Sequence, residues 1–365
     1  MILSCNNISK SFGTDIIIKS CSFNIEDHEK AAIVGINGAG KSTLLKIITG
    51  EEPADTGIVT LAKDKTLGYL AQQQDLQSDR SIYDELLSVK QYILDMESEL
   101  RRIEAAMNSA SGDELDALMN RYTNLNHEFE MNNGYAYKSE ITGVLKGLGF
   151  AEDDFSLHVN TLSGGQKTRV SLGKLLLSKP DIIMLDEPTN HLDGEMVTWL
   201  EDFLRNFRGT VIMVTHDRYF LDRVANRILE ISHGKLYSYA GDYSRFLELK
   251  AQREEMGLAS DRKRRSVLRM ELEWAARGCR ARSTKQRARL DRLEALKAGK
   301  TPVKDQNVEM DSVETRMGKK TVEFHHVSKS IEGRLLINDF DYIVLRDQRL
   351  GIIGPNGCGK STCLL

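Results

Sequence analysis

The sequence holds no apolar run approaching the ~18 residues that a membrane-crossing helix needs, and its opening lacks the charged leader and apolar core of an export signal. A chain with membrane spans of its own is excluded. The cysteines, Cys5, Cys21, Cys279, Cys358 and Cys363, are odd in number and include no metal-spaced pair. That argues against a disulfide framework or a zinc site and for reduced thiols in a cytoplasmic protein. Net charge is nearly absent too, with a formal value of −3 over 365 residues, but the small sum hides an asymmetry. Residues 250–300 carry sixteen Lys or Arg against seven Asp or Glu, a surplus of +9 that leaves −12 for the remainder. A basic segment on an acidic body points to a polyanionic partner.

What is present is organised around one stretch, LSGGQKTRVSLGKLLLSKPDIIMLDEPTNHLD, from Leu162 to Asp193. Ser163, Gly164, Gly165 and Gln166 place a hydroxyl and two side-chain-free backbones at the start of a helical run, where free N–H groups and the helix dipole attract phosphate. Ile182 to Leu185 is an unbroken apolar run, the pattern of a central strand in a parallel sheet, and it delivers Asp186 and Glu187 at its carboxyl end. Paired carboxylates there suit a metal and a water. Upstream, Gly35, Ile36, Asn37, Gly38, Ala39, Gly40, Lys41, Ser42 and Thr43 satisfy G-x-x-x-x-G-K-S/T between a strand and the apolar helical run Leu44 to Ile48. The glycines let successive N–H groups close around phosphates, the lysine reaches the β/γ oxygens, and a hydroxyl serves Mg²⁺.

With Pro188, Asn190, His191, Leu192 and Asp193 following the carboxylates, these stretches closely resemble the signature, Walker B and D-loop of the ATP-binding cassette (ABC) family. The TNHLD ending is most similar to subfamily F, whose members carry two cassettes in one chain without membrane spans and mostly act on ribosomes. The resemblance implies an α/β P-loop NTPase cassette with an antiparallel β portion, an ATPase that uses ATP and Mg²⁺. It also implies that each ATP lies between the P-loop of one cassette and the signature of another. It assigns Ser42, Gln72 and Asp186 to the metal, Glu187 to the attacking water, Gln72 and His216 to the γ-phosphate, Asp193 to the D-loop, and Phe12 to a stack on adenine. Adjacent glutamines, Gln72 to Gln74, leave that register open by one residue, and Phe12 could instead be an ordinary core side chain.

Short strands are expected at Ile2–Cys5, Ile16–Ile18, Cys21–Ile25, Ala31–Val34, Gly57–Leu61, Thr66–Leu70, Thr210–Val214, Ile228–Ile231 and Leu236–Tyr239. Leu86, Val89, Ile93, Met96, Leu100, Ile103 and Met107 step by three and four, a heptad seam. A second seam, Leu115, Leu118, Tyr122, Leu125 and Phe129, follows with Ser111 and Glu114 spaced as a capping box. These predict an antiparallel α-helical hairpin over 82–131, inserted in a first ATPase domain spanning 1–241. Its default role is structural; a contact with a partner is the alternative. Two helices, Asp242–Ala276 and Arg280–Ala298, make a basic interdomain linker over 242–300, with a connector at 301–320. Arg277, Arg280, Arg282 and Lys285 cluster with Trp274 near the turn between the helices. The segment resembles the linker that subfamily F inserts into the ribosome near the peptidyl-tRNA, which implies contact with rRNA or tRNA. With Trp274 the lone aromatic, phosphate and shape contacts fit better than base stacking.

Residues 322–364 repeat residues 3–45 at a constant offset of 319. The P-loop returns as Gly354, Pro355, Asn356, Gly357, Cys358, Gly359, Lys360, Ser361 and Thr362, while Phe12 becomes Ile331. Residues 321–365 therefore read as the start of a second, incomplete cassette without signature, carboxylates or switch histidine of its own. The expectation is a fragment of a longer protein whose strands within 322–353 lack most of their cover. A second cassette or a second copy would complete the ATP sites. The expected function is ATP binding and hydrolysis coupled through the linker to the ribosome, as a translation factor or in protection from ribosome-targeting antibiotics. A transporter's ATPase subunit, or ATP binding without turnover, stays open.

Overall fold

The computed structural model describes residues 1–72, 76–276, 294, 322–331, 334–344, 350–352, 354 and 362. The basic tip from Arg277 to Lys285, the helix expected at Arg280–Ala298, the connector and most of the second P-loop lie outside them, as do Gln73 and Gln74. One unit comprises Met1–Tyr243, His325–Phe340 and Arg349–Leu365; the other comprises Ser244–Phe324 and Asp341–Gln348.

In chain order the elements are β1 (Leu3–Phe12), β2 (Asp15–Ile25), β3 (Lys30–Val34), α1 (Lys41–Thr49), β4 (Thr56–Leu61), β5 (Leu67–Leu70), α2 (Ile82–Leu87), α3 (Gln91–Met107), α4 (Asp113–Met131) and α5 (Tyr137–Gly147). There follow α6 (Gly164–Ser178), β6 (Ile182–Asp186), α7 (Gly194–Asn206), β7 (Thr210–Val214), α8 (Arg218–Val224), β8 (Arg227–Ser232), β9 (Lys235–Ala240), α9 (Tyr243–Ala276), β10 (Val322–Ile331) and β11 (Arg334–Val344).

A six-stranded sheet, in the order β5-β6-β7-β3-β8-β9, is parallel except for its last pair. Its central strands β6 and β7 are buried at every residue, as an apolar run without alternation requires. A three-stranded antiparallel sheet, β2-β1-β4, stands beside it. Ile8 and Ile18 of that sheet share one core with Leu44 and Leu45 of α1 and with Ile33, Met184, Ile212 and Val214 of the six-stranded sheet. Each such fully buried aliphatic side chain contributes about 1.5–3 kcal/mol, so the helix after the P-loop is held from both sides.

Three expectations need correction. The short strands at Ile2–Cys5, Ile16–Ile18 and Cys21–Ile25 belong to two long strands of ten and eleven residues. Register shifts between Cys5 and Ser11, with Asn7 and Ser20 at positive φ, break the alternation without ending the ladder, as β-bulges do. The first helical seam does not run unbroken from Leu86. Leu86 is fully buried in α2 and faces Gly173 of α6, and a 3-10 turn at Ser88–Lys90 separates it from α3. The capping box at Ser111 and Glu114 does not form: α4 begins at Asp113 behind Gly112, whose φ of 60° no side chain caps. The seams themselves hold, with Ile93, Leu100, Ile103 and Phe129 buried and Leu115, Leu118, Tyr122 and Leu125 half-buried. Arg121 reaching Glu99 at 2.6 Å and Tyr122 reaching Glu104 at 2.9 Å tie α3 to α4.

Candidate active site

The parallel register brings the candidate residues to one edge. Asp186 stands level with Val214 and Val214 with Ile33, so Glu187, Thr215 and the P-loop all leave from the carboxyl ends of adjacent strands. Ligands of open α/β sheets bind at that edge. Leu70 stands level with Leu185, which puts Gln72, exposed just beyond β5, beside the level of Glu187.

The P-loop closes by close approach. A Cβ on Gly35 would lie 2.6 Å from the Ile231 carbonyl, and one on Gly40, which caps α1 at φ 95°, would lie 2.4 Å from Ile17 of β2. Neither position has room for a side chain. Lys41 Nζ donates to the carbonyls of Gly35 at 3.0 Å and Ile36 at 3.2 Å. Burial pushes its ammonium down, while the charges of Glu187 and Asp186 pull it back up. Ser42 and Thr43 follow in the first turn of α1.

Asp186 is 3% exposed, and its Oδ1 has no hydrogen-bond partner. Burial raises its carboxyl, and the Ser42 hydroxyl and Lys41 counter that. A buried orphan carboxylate oxygen beside a hydroxyl is a hard-oxygen donor set that fits Mg²⁺. Glu187 adopts φ 52°, an uncommon conformation for a side chain of its size. Its N–H donates to Val214 at 2.8 Å, and its carboxylate lies 3.5 Å from His216 Nε2 and 3.4 Å from the His216 N–H. Burial raises its carboxyl and His216 opposes.

At the signature, Ser163 and Gln166 form a capping box. The Ser163 hydroxyl accepts from the Gln166 N–H at 3.3 Å, and the Gln166 side chain accepts from the Ser163 N–H at 3.0 Å. Their side chains thus hold the start of α6 in shape, while Gly164 and Gly165 present backbone alone. Gly165 lies against His191, itself at φ 68°, which packs the signature against the segment after Glu187. Asp193 caps α7, accepting from Met196 N–H at 3.1 Å. Phe12 is 50% exposed with Lys10 Nζ 5.2 Å above its ring, so it is no core residue. In the repeat, Gly354 is exposed and Thr362 half-buried; Asn356, Gly357, Gly359, Lys360 and Ser361 lie outside the described residues. Trp274 falls in the last turn of α9. One link escaped the sequence reading: the Thr189 and Thr215 hydroxyls meet at 3.1 Å, joining the loop after Glu187 to the one that carries His216. Its signal is a small hydroxyl residue just beyond the end of each of two adjacent buried strands.

The ABC transporter family model matches residues 18–190, from β2 through the P-loop, signature and carboxylates. The chain carries an ABC ATPase cassette. A second model, described likewise as ABC transporter and covering an extension, matches residues 229–311. The chain is 39% identical over its whole length to the uncharacterized ABC transporter ATP-binding protein YfmR of Bacillus subtilis, of which it spans 57%. It is 38% identical, over 99% of its length, to the energy-dependent translational throttle protein EttA of Mycobacterium tuberculosis, of which it spans 64%. A solved ATP-binding subunit of an ABC transporter aligns at 16% identity and TM-score 0.49, over 66% of this chain and 90% of that one. No described helix of the cassette or beyond it is long and apolar enough to cross a membrane.

Proposed function

We propose that the cassette hydrolyses ATP and that its nucleotide cycle acts on the translating ribosome, as in subfamily F. The observation that carries the hydrolytic part is the convergence of Lys41, Ser42, Asp186, Glu187 and His216 at one sheet edge. Lys41 and the loop amides bind the β/γ phosphates. Ser42, Asp186 and Gln72 hold Mg²⁺, which supplies charge neutralisation on the phosphate oxygens when bound. Glu187, with its carboxylate raised by burial, accepts a proton from the attacking water, and His216 orients Glu187 and contacts the γ-phosphate. Phe12 offers its exposed face to adenine. Ser163, Gly164, Gly165, Gln166 and Asp193 face the nucleotide of a second cassette, which closes on ATP and opens after hydrolysis.

The ribosomal part is supported by the name of the EttA relative, a translational throttle, and by the +9 surplus of residues 250–300. Trp274, Arg277, Arg280, Arg282 and Lys285 are the residues proposed to meet rRNA or tRNA, chiefly through phosphates. The test is Glu187→Gln, which leaves nucleotide binding intact and stops the proton transfer. With ATP present, the variant is expected to sediment with ribosomes far more strongly than the unmodified chain. Equal sedimentation of the two removes the ribosomal reading.

A further inference from the structure

The inference rests on the reading of Asp186 as a metal ligand. Two buried side-chain oxygens on the adjacent strands β5 and β6 have no hydrogen-bond partner, Asp186 Oδ1 and Tyr69 Oη. A buried polar atom left unpaired costs about 1–3 kcal/mol, so two in one neighbourhood call for a shared explanation. Tyr69 pairs with Met184 in the parallel β5–β6 ladder. Side chains of paired residues share a sheet face, and Asp186 lies two residues beyond Met184 on that same face. Tyr69 and Met184 both pack in the core that contains Leu44 and Leu45 of α1, the helix whose first turn holds Ser42. Burial acts first on the Tyr69 hydroxyl, and the negative charge of Asp186 adds to it ahead of that of Glu51.

We propose that Tyr69 is a positioning residue for the metal site, its hydroxyl donating to a water that also binds Asp186 and so fixing the carboxylate for Mg²⁺. Mg²⁺ keeps several of its waters in protein sites, and partners outside the ligand sphere orient the ligands themselves. A water with two polar partners in a buried niche accounts for both orphan oxygens together. Tyr69 does not touch the substrate, and its effect passes through Asp186.

The experiment uses Tyr69→Phe in the 365-residue chain, which keeps the ring and removes the hydroxyl. Affinity for a fluorescent ATP analogue is measured with and without Mg²⁺, alongside thermal unfolding of the free chain. The expected result is that the gain in affinity from Mg²⁺ falls about tenfold, while metal-free affinity holds and unfolding temperature changes little, because the ring stays packed and the water loses a single partner. An undiminished Mg²⁺ gain overturns the proposal. So does an equal loss with and without Mg²⁺, or a fall in unfolding temperature as the sole change, since either marks a packing role. If the unmodified chain shows no Mg²⁺-dependent nucleotide binding, the ATPase reading itself fails, and this inference fails with it.

Discussion

The opening hairpin and its repeat share a secondary structure and differ in their surroundings. The bounds of β10 and β11 are those of β1 and β2 displaced by 319 at all four ends. The left-handed positions recur too: Asn7 and Ser20, at φ 52° and 50°, return as His326 and Asp339, at 47° and 48°. Even their contact is kept, as a hydrogen bond from the Ser20 hydroxyl to Asn7 in one and as His326 Nδ1 at 2.6 Å from Asp339 in the other. Burial is not kept. Leu3 is 1% exposed and its counterpart Val322 is 59% exposed; Ile8 is fully buried and Val327 only half-buried. Lys10 is buried and paired with Glu52 at 2.6 Å, whereas Lys329 is exposed. The same bulged hairpin thus recurs with less burial. The wall that steadies a phosphate loop also needs α1, β4 and the contact of Ile17 with Gly40.

The widest separation between the copies is expected at the two lysines. Lys41→Ala removes charge-assisted contacts to phosphate beside a complete set of carboxylates, and a loss of about 100-fold in ATP affinity follows from roughly 1.5–3 kcal/mol for each such bond. Lys360→Ala, in the copy whose hairpin is the more exposed, should cost much less by the same titration. Equal losses would break the comparison. Next in size is packing. Ile8→Ala should destabilise by about 2–5 kcal/mol and Val327→Ala by less than ~1 kcal/mol, read from denaturant unfolding. Similar values would mean that the repeat is as well buried as the original.

The buried site also sets a pH dependence. Burial raises Asp186 and Glu187 in the folded chain, so their contribution to stability is full below the ordinary carboxylate range and is lost as pH rises through the raised values. Asp181, held down to about 2 by Lys65 and Thr66, works the other way, and its contribution disappears as pH falls from about 4. Glu85 and Glu140, lowered against their burial by Lys174 and by Lys179, side with Asp181. Asp186→Asn should therefore make thermal stability fall more steeply on acidification than in the unmodified chain, while weakening Mg²⁺-dependent nucleotide binding. Parallel pH profiles for the two would contradict this. The smallest expected contrast separates two helix starts: Ser81→Ala removes a cap that accepts from Asp84 N–H at 3.1 Å and should cost about 1 kcal/mol, whereas Ser111→Ala should stay within about 0.5 kcal/mol.

Legibility followed the same division between local pattern and packing. β6 and β7 could be read from sequence because unbroken apolar runs of four residues between turn signals have few other uses, and the P-loop because its glycines are required by close approach. The length of β1 and β2 could not, because bulges at Asn7 and Ser20 hide the alternation that marks a strand. Leu86 looked like the first step of a heptad because a 3.5-residue period carries no information about which neighbour, α4 or α6, it meets. Ser111 and Glu114 have capping-box spacing, but Gly112 lets the chain turn one residue later. At the site, Asp186 and Glu187 were legible as a pair. The left-handed backbone of Glu187 and the Thr189–Thr215 link were not, since both depend on how β6 and β7 sit side by side.

Phosphate release by the unmodified chain and by Glu187→Gln, at matched and saturating Mg²⁺-ATP, tests the central assignment most directly. The expected result is release by the first and a fall of about 100-fold or more in the second, with ATP affinity unchanged. Undiminished release by Glu187→Gln, or none by either, would contradict the assignment of hydrolysis to this carboxylate.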